Sequence, residues 1–204
     1  MADTSVPYFE NPAFKKSFAD VPIDAENKIS TAEFIEACQS LVLIFDYLKA
    51  SAFSPVKSDI SGNVTKIETR FKEAPAESVT LQDLVKNELA SKKHVATEGL
   101  LWLTRGLDFM SQALSANSKT PTEELSTSFT NAYGETLKPH HNFIVKKIFS
   151  TAMGYCPKRA DFYKEVGKDT PQEKFDQQFQ PWLAALDKIV GILKPFVDSK
   201  DAKW

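Results

Sequence analysis

Asp59, Asn63 and Lys66 recur at i, i+4 and i+7. At about 100° per residue the three fall within about 60° of arc, stacked over about 10 Å of helical rise. A carboxylate accepts hydrogen bonds, an amide both donates and accepts, and an ammonium donates. Side by side they suit a ligand carrying several hydroxyls. One residue further along, Ile60, Val64, Ile67 and Phe71 repeat the spacing and give the same helix an apolar side. A solvated helix face with a weak ion pair has this pattern too, and periodicity alone favours that reading.

Trp102 offers an aromatic plane, with Gly106 four residues on along the same face. A glycine inside a helix costs about 1 kcal/mol against alanine. It serves either open space beside the indole or close helix packing. His140 and His141 are adjacent, which does not suit the i, i+3 or i+4 geometry of a shared metal, and His94 is the only other histidine. No metal or cofactor is expected. Cys38 and Cys156, the only cysteines, fall among apolar neighbours and read as inert thiols in a reducing compartment. There is no G-x-S-x-G, and no nucleophile is paired with a base, so no catalytic residue is assigned.

The elements that must position these residues are helical. Ser30-Thr31-Ala32-Glu33 is a capping box, and Thr120-Pro121-Thr122-Glu123 and Thr170-Pro171-Gln172-Glu173 each combine a cap with a first-turn proline. The apolar period predicts helices at 30–50, 56–73, 80–90, 95–116, 121–136, 138–154, 158–166 and 171–197. Leu41-Val42-Leu43-Ile44-Phe45 and Leu100-Leu101-Trp102-Leu103 are apolar on every side, which puts their helices at the centre. Residues 1–27 read as a loose N-terminal arm on a single domain spanning 1–204. No segment alternates long enough to be a good strand.

Composition narrows the function classes. With 25 Lys plus Arg against 27 Asp plus Glu the net charge is −2, which argues against a nucleic-acid binder. Seven glycines and no phosphate-binding glycine motif argue against a nucleotide loop. The N-terminus has neither a basic start nor an apolar stretch, and no apolar run approaches the roughly 20 residues of a membrane span. A cytoplasmic protein is expected. Fifteen phenylalanines suffice either for a large core or for the lining of a cavity for a greasy ligand.

Three blocks resemble the glycolipid transfer protein family, in order and at similar spacing. They are Asp59-Ile60-Ser61-Gly62-Asn63-Val64-Thr65-Lys66, Leu101-Trp102-Leu103-Thr104-Arg105-Gly106-Leu107, and His141-Asn142-Phe143-Ile144-Val145-Lys146-Lys147-Ile148-Phe149. The resemblance implies a two-layer, all-α helical sandwich with a tunnel for lipid chains between the layers. It implies that Trp102 stacks on the first sugar, that Asn63 and Lys66 bond its hydroxyls, that Asp59 accepts from the ceramide amide N–H, and that His141 donates to the amide carbonyl. It turns the polar stripe from a solvated face into a site.

The expected ligand is a glycosphingolipid such as glucosyl-, galactosyl- or lactosyl-ceramide, moved between membranes by a non-enzymatic, monomeric carrier that touches membranes reversibly. Phe45, Phe53, Phe109, Leu137, Phe149 and Phe162 are the expected tunnel lining, and Val56, Phe143, Lys147 and Lys158 the expected membrane contacts. A family branch that carries ceramide-1-phosphate has basic residues where this chain has Asn63 and Trp102, which favours sugar here. Where the family has a membrane-facing tryptophan this chain has Phe143, and where it has a loop aromatic this chain has Lys158. A glycolipid sensor, a ceramide-1-phosphate carrier and a lipid hydrolase using Asp59 and His141 are the alternatives.

Overall fold

A computed structural model describes residues 3–204. Eight α-helices follow in order: α1 Thr31–Tyr47, α2 Ser54–Glu73, α3 Leu81–Ala90, α4 Val95–Lys119, α5 Leu125–Glu135, α6 Phe143–Gly154, α7 Arg159–Gly167 and α8 Gln172–Asp198. The chain is all-α, as the helical period predicts. Two isolated bridges, Ile23 with Ile29 and Ser30 with Thr80, tie the entry of α1 to that of α3.

Local chemistry sets several of these boundaries. The Ser30 hydroxyl bonds the Glu33 carboxylate at the start of α1. The Thr80 hydroxyl accepts from the Asp83 N–H at 3.1 Å and donates to its carboxylate at 2.7 Å, a reciprocal cap on α3. Pro55 occupies the first turn of α2, where its missing N–H costs nothing. At α4, the buried Glu88 carboxylate accepts from the N–H groups of Ala96 and Thr97 and from the Thr97 hydroxyl.

Helix α4 is the shared element, packed by α2, α3, α5 and α8. Its all-round greasiness is explained by that position. Helix α1, read as equally central, packs on α2 and α7 and leaves Val42 and Leu43 half-buried. Helices α2 and α4 run antiparallel in close contact. A Cβ on Gly106 would meet the Ile60 side chain at 3.3 Å, and one on Gly99 would meet Lys66 Cβ at 3.0 Å. Gly106 therefore serves packing, not open space beside the indole.

Three boundaries and the arm differ from expectation. Thr120 closes α4, its N–H on the Ala116 carbonyl, and α5 begins only at Leu125. The cap is lost because Glu123 is engaged elsewhere: its carboxylate bonds Ser128 and its carbonyl accepts from Asn117. Likewise Pro171, not Thr170, flanks α8. The helix expected from 138 begins at Phe143: Lys138–His140 form only a 3-10 turn, and His141 and Asn142 are extended. Asn142 supplies the real cap, accepting the Val145 N–H at 3.0 Å.

The segment before α1 is not loose. Tyr8 and Phe18 are buried. The Tyr8 hydroxyl donates to the Ser40 carbonyl at 2.9 Å, and the Tyr47 hydroxyl to the Val6 carbonyl at 2.9 Å. Rings of Tyr8, Phe9 and Phe18 lie 6.0, 6.1 and 5.8 Å from Trp182 of α8. Met1 and Ala2 of the expected arm lie outside the described residues.

Candidate functional site

Asp59, Asn63 and Lys66 project from α2 into one cavity of about 390 Å³, which Trp102 and Glu98 of α4 and His140, His141, Asn142 and Val145 also line. The five residues singled out for a headgroup thus share one concavity. Asn63 is 4% exposed, held on α2 against Gly99 of α4. Neither its amide nor the Lys66 ammonium hydrogen-bonds another described residue. Both groups line the cavity, where a ligand can supply the hydrogen-bond partners that the protein does not.

Asp59 reaches solvent at the cavity edge, yet the surrounding protein strips enough water to raise its carboxyl pKa, an effect that Lys66 partly offsets. His141 comes in from the opposite wall. Because α6 starts two residues later, His141 sits in extended backbone. Its ring lies nearly parallel to Trp102, 6.0 Å between centroids and 22° between planes. Behind it, the Tyr133 hydroxyl of α5 is 3.2 Å from Nδ1, and Phe149 packs at 4.7 Å. Burial, then the neighbouring His140, Lys146 and Arg105, hold the His141 pKa below the usual histidine value. The imidazole is therefore neutral. In the tautomer protonated on Nε2 it accepts the Tyr133 hydroxyl at Nδ1 and presents a donor to the cavity.

The sequence reading missed four supports. Tyr133 orients His141, Asn142 ends the extended segment that carries it, and the Arg105 guanidinium lies over the Trp102 ring at 4.7 Å. Gly99 lets Lys66 cross α4. A signal for the last was present: Gly99 and Gly106 are seven residues apart, on one face of one helix.

The six expected tunnel residues are all buried. Phe45 and Phe109 each sit one ring away from a Phe53–Phe129 pair, at 6.3 and 5.5 Å, and Phe149 stacks on Tyr133 at 5.0 Å. Phe162 packs on Tyr163 at 5.3 Å, and Leu137 closes the end of α5. Of the expected membrane contacts, Phe143 is 81% exposed, and Lys147 and Lys158 are exposed as well. Val56 is not: at 1% exposure it belongs to the core, because the first turn of α2 faces its apolar side inward. Ile144, 70% exposed and not foreseen, stands beside Phe143.

Neither thiol is poised for chemistry. Burial raises the pKa of Cys38 and pushes Cys156 up to about 12. Among the described residues no group of three His, Cys, Asp or Glu is placed to hold a metal, and no helix is long and apolar enough to cross a membrane.

Comparison with known proteins gives the family. The family model for glycolipid transfer protein matches residues 29–168. A glycolipid transfer protein of Aureobasidium melanogenum is 53% identical over 190 residues, covering 93% of each chain. The crystal structure of HET-C2, a fungal glycolipid transfer protein, matches with TM-score 0.90 and 57% identity over 97% of this chain and 100% of that one. FAPP2, whose structure concerns its selection of simple glycosphingolipids, matches with TM-score 0.81 and 30% identity over 93% of this chain and 94% of that one. The chain belongs to the glycolipid transfer protein family.

Proposed function

We propose that this chain takes up a glycosphingolipid, holds its headgroup in the α2–α4–His141 cavity and carries it between membranes as a monomer, without chemical change to the lipid. One observation carries the reading: an uncommitted amide, an uncommitted ammonium, a carboxylate, a neutral imidazole and an indole converge on a single cavity. A sugar matches that set, with an apolar C–H face for Trp102 and hydroxyls for Asn63 and Lys66. Asp59 accepts the ceramide amide N–H, and His141 Nε2–H donates to the amide carbonyl. The acyl chains enter between the helices at the Phe45, Phe53, Phe109, Leu137, Phe149 and Phe162 cluster, each buried CH₂ adding about 0.8 kcal/mol. The carrier is cytoplasmic and rests on membranes through Phe143, Ile144, Lys147 and Lys158, reversibly because so small an apolar face anchors weakly.

The same cavity disfavours a phosphate. Its lining holds one ammonium, Lys66, against the carboxyl groups of Asp59 and Glu98. A phosphate monoester of about −1.5 to −2 charge finds no net compensation there. The test is transfer from donor to acceptor vesicles of neutral phosphatidylcholine, with glucosylceramide and ceramide-1-phosphate offered separately. Glucosylceramide should move, be recovered intact by mass spectrometry, and far outpace the phosphate lipid. Binding without transfer would mark a sensor, cleaved lipid an enzyme, and equal transfer of both lipids a carrier whose selection lies in its apolar interior; each result would overturn the proposal as stated.

A further inference from the structure

A second, larger concavity lies between α5 and α6, with a volume of about 690 Å³. Lys138, Lys146 and Lys147 line it together with Thr130, Asn131 and Ser150, and no acidic residue does. In a chain with more carboxylates than cations this is a local reversal of sign. Among the described residues none of the three ammonium groups is paired with a carboxylate. Helical spacing explains their convergence. Phe143, Lys146, Lys147, Ser150 and Gly154 recur at i, i+3, i+4, i+7 and i+11, one stripe of α6 turned toward α5. Thr130 and Asn131 oppose them with short hydroxyl and amide donors.

We propose that this groove binds the headgroup of an anionic glycerophospholipid while that lipid remains in the bilayer. The three ammonium groups meet the phosphate, and the hydroxyls and the amide bond its oxygens. The bilayer, rather than a soluble phosphate, is the source because the groove opens onto apolar surface. Phe143 is at once a wall of the groove and the most exposed large apolar side chain of α6, and Ile144 stands next to it. A lipid seated here keeps its chains beside Phe143. The groove also touches the headgroup cavity: Tyr133 lines it and contacts His141 Nδ1. The inference goes beyond glycolipid carriage and needs no glycolipid to be tested.

Vesicles of phosphatidylcholine alone and vesicles with one fifth phosphatidic acid are compared in flotation with the full chain at low salt. The readout is the ratio of anionic to neutral vesicle binding. Wild type should favour the anionic vesicles, and the triple variant Lys138→Gln/Lys146→Gln/Lys147→Gln should lose on the order of a hundredfold of that ratio, since three lysines near a charged surface contribute about 1 kcal/mol each and every 1.4 kcal/mol is about tenfold. A control with the same charge change elsewhere, Lys86→Gln/Lys93→Gln/Lys188→Gln, should keep it. Thr130→Trp, which fills the groove without changing charge, should lower the ratio severalfold, with melting curves confirming that each variant folds. Equal losses in the two triple variants, no effect of Thr130→Trp, or no anionic preference in wild type would overturn the site. Calorimetric binding of glycerol 3-phosphate in the micromolar range would overturn the membrane source. Glucosylceramide transfer by the unmodified chain between neutral vesicles is a separate measurement, so the carrier reading fails or stands on that assay and not on these variants.

Discussion

The wall that α2 and α4 build and the face that α6 presents are the two surfaces proposed to meet lipid, yet they are made in opposite ways. The first is anchored. Asn63 is buried, Lys66 lies across a glycine, and Trp102 is braced by Arg105. The second is free. Phe143 and Ile144 project from the first turn of α6 with little beneath them. Selecting one headgroup requires donors and acceptors fixed to a fraction of an ångström, whereas resting on a bilayer requires only apolar area and charge of the right sign. Rigidity is concentrated where discrimination is needed.

A pair of substitutions breaks that comparison most sharply. Asp59→Val removes the charge-assisted hydrogen bond proposed to the lipid amide, worth about 1.5–3 kcal/mol, or about ten- to a hundredfold in affinity. The loss should appear equally with vesicle-borne and with detergent-dispersed glucosylceramide. Phe143→Ser should slow vesicle transfer but leave detergent-dispersed binding intact. If Phe143→Ser weakens both assays, the α6 face is part of the binding site and the division fails.

The two regions also differed in how much of them the sequence disclosed. Asp59, Asn63, Lys66 and Trp102 stand on long helices whose period fixes relative direction, so their convergence could be anticipated from spacing plus resemblance. His141 was named, but its setting was not. Its position depends on the chain leaving a 3-10 turn at His140 and restarting as α6 only after the Asn142 cap, a competition between start signals that local sequence does not rank. The Thr120-Pro121 cap failed for a related reason, since Asn117 and Ser128 compete for the groups of Glu123. Tyr8 and Phe18 looked like a loose arm because their partners, Ser40 and Trp182, are far away in the chain. Val56 looked like surface because an apolar residue in a first turn does not announce which way it faces.

Two glycines sharpen the claim of anchoring. A Cβ on Gly99 would lie 3.0 Å from Lys66 Cβ and 3.3 Å from the Asn63 carbonyl oxygen, while one on Gly62 would meet nothing within 4 Å. Gly99→Ala should therefore cost about 1–3 kcal/mol by overpacking and displace both site residues, lowering glycolipid affinity as well. Gly62→Ala, in the same close-packed pair but facing away from α4, should instead stabilise by about 0.5–1 kcal/mol through helix propensity and leave affinity alone. Chemical denaturation with matched binding assays reads both. Equal and harmless effects would show that α2 and α4 are not held as closely as the site needs.

The smallest expected effect concerns protons, and it asks whether the anchored wall is kept ready at the expense of the empty fold. Desolvation raises the Asp59 pKa from 3.8 in the folded chain. Between that ordinary value and the raised one the folded state holds more protons than the unfolded state, so this group's contribution to stability falls as pH rises through the window. His141 works the other way. Its pKa is lowered from 6.5, so between the lowered value and 6.5 the unfolded state holds more protons and stability rises with pH. Asp59→Asn removes the first contribution and not the second. Its melting temperature should exceed that of wild type at neutral pH, and the advantage should shrink as pH falls through the window between the raised value and 3.8, where the folded wild-type carboxyl takes up its proton. Saturating glucosylceramide should reverse the order at neutral pH, because the ionised carboxylate then accepts the ceramide N–H and the amide is the poorer acceptor. An Asp59→Asn protein that melts below wild type at every pH, with or without lipid, would mean that the carboxylate supports the fold rather than waiting for a ligand.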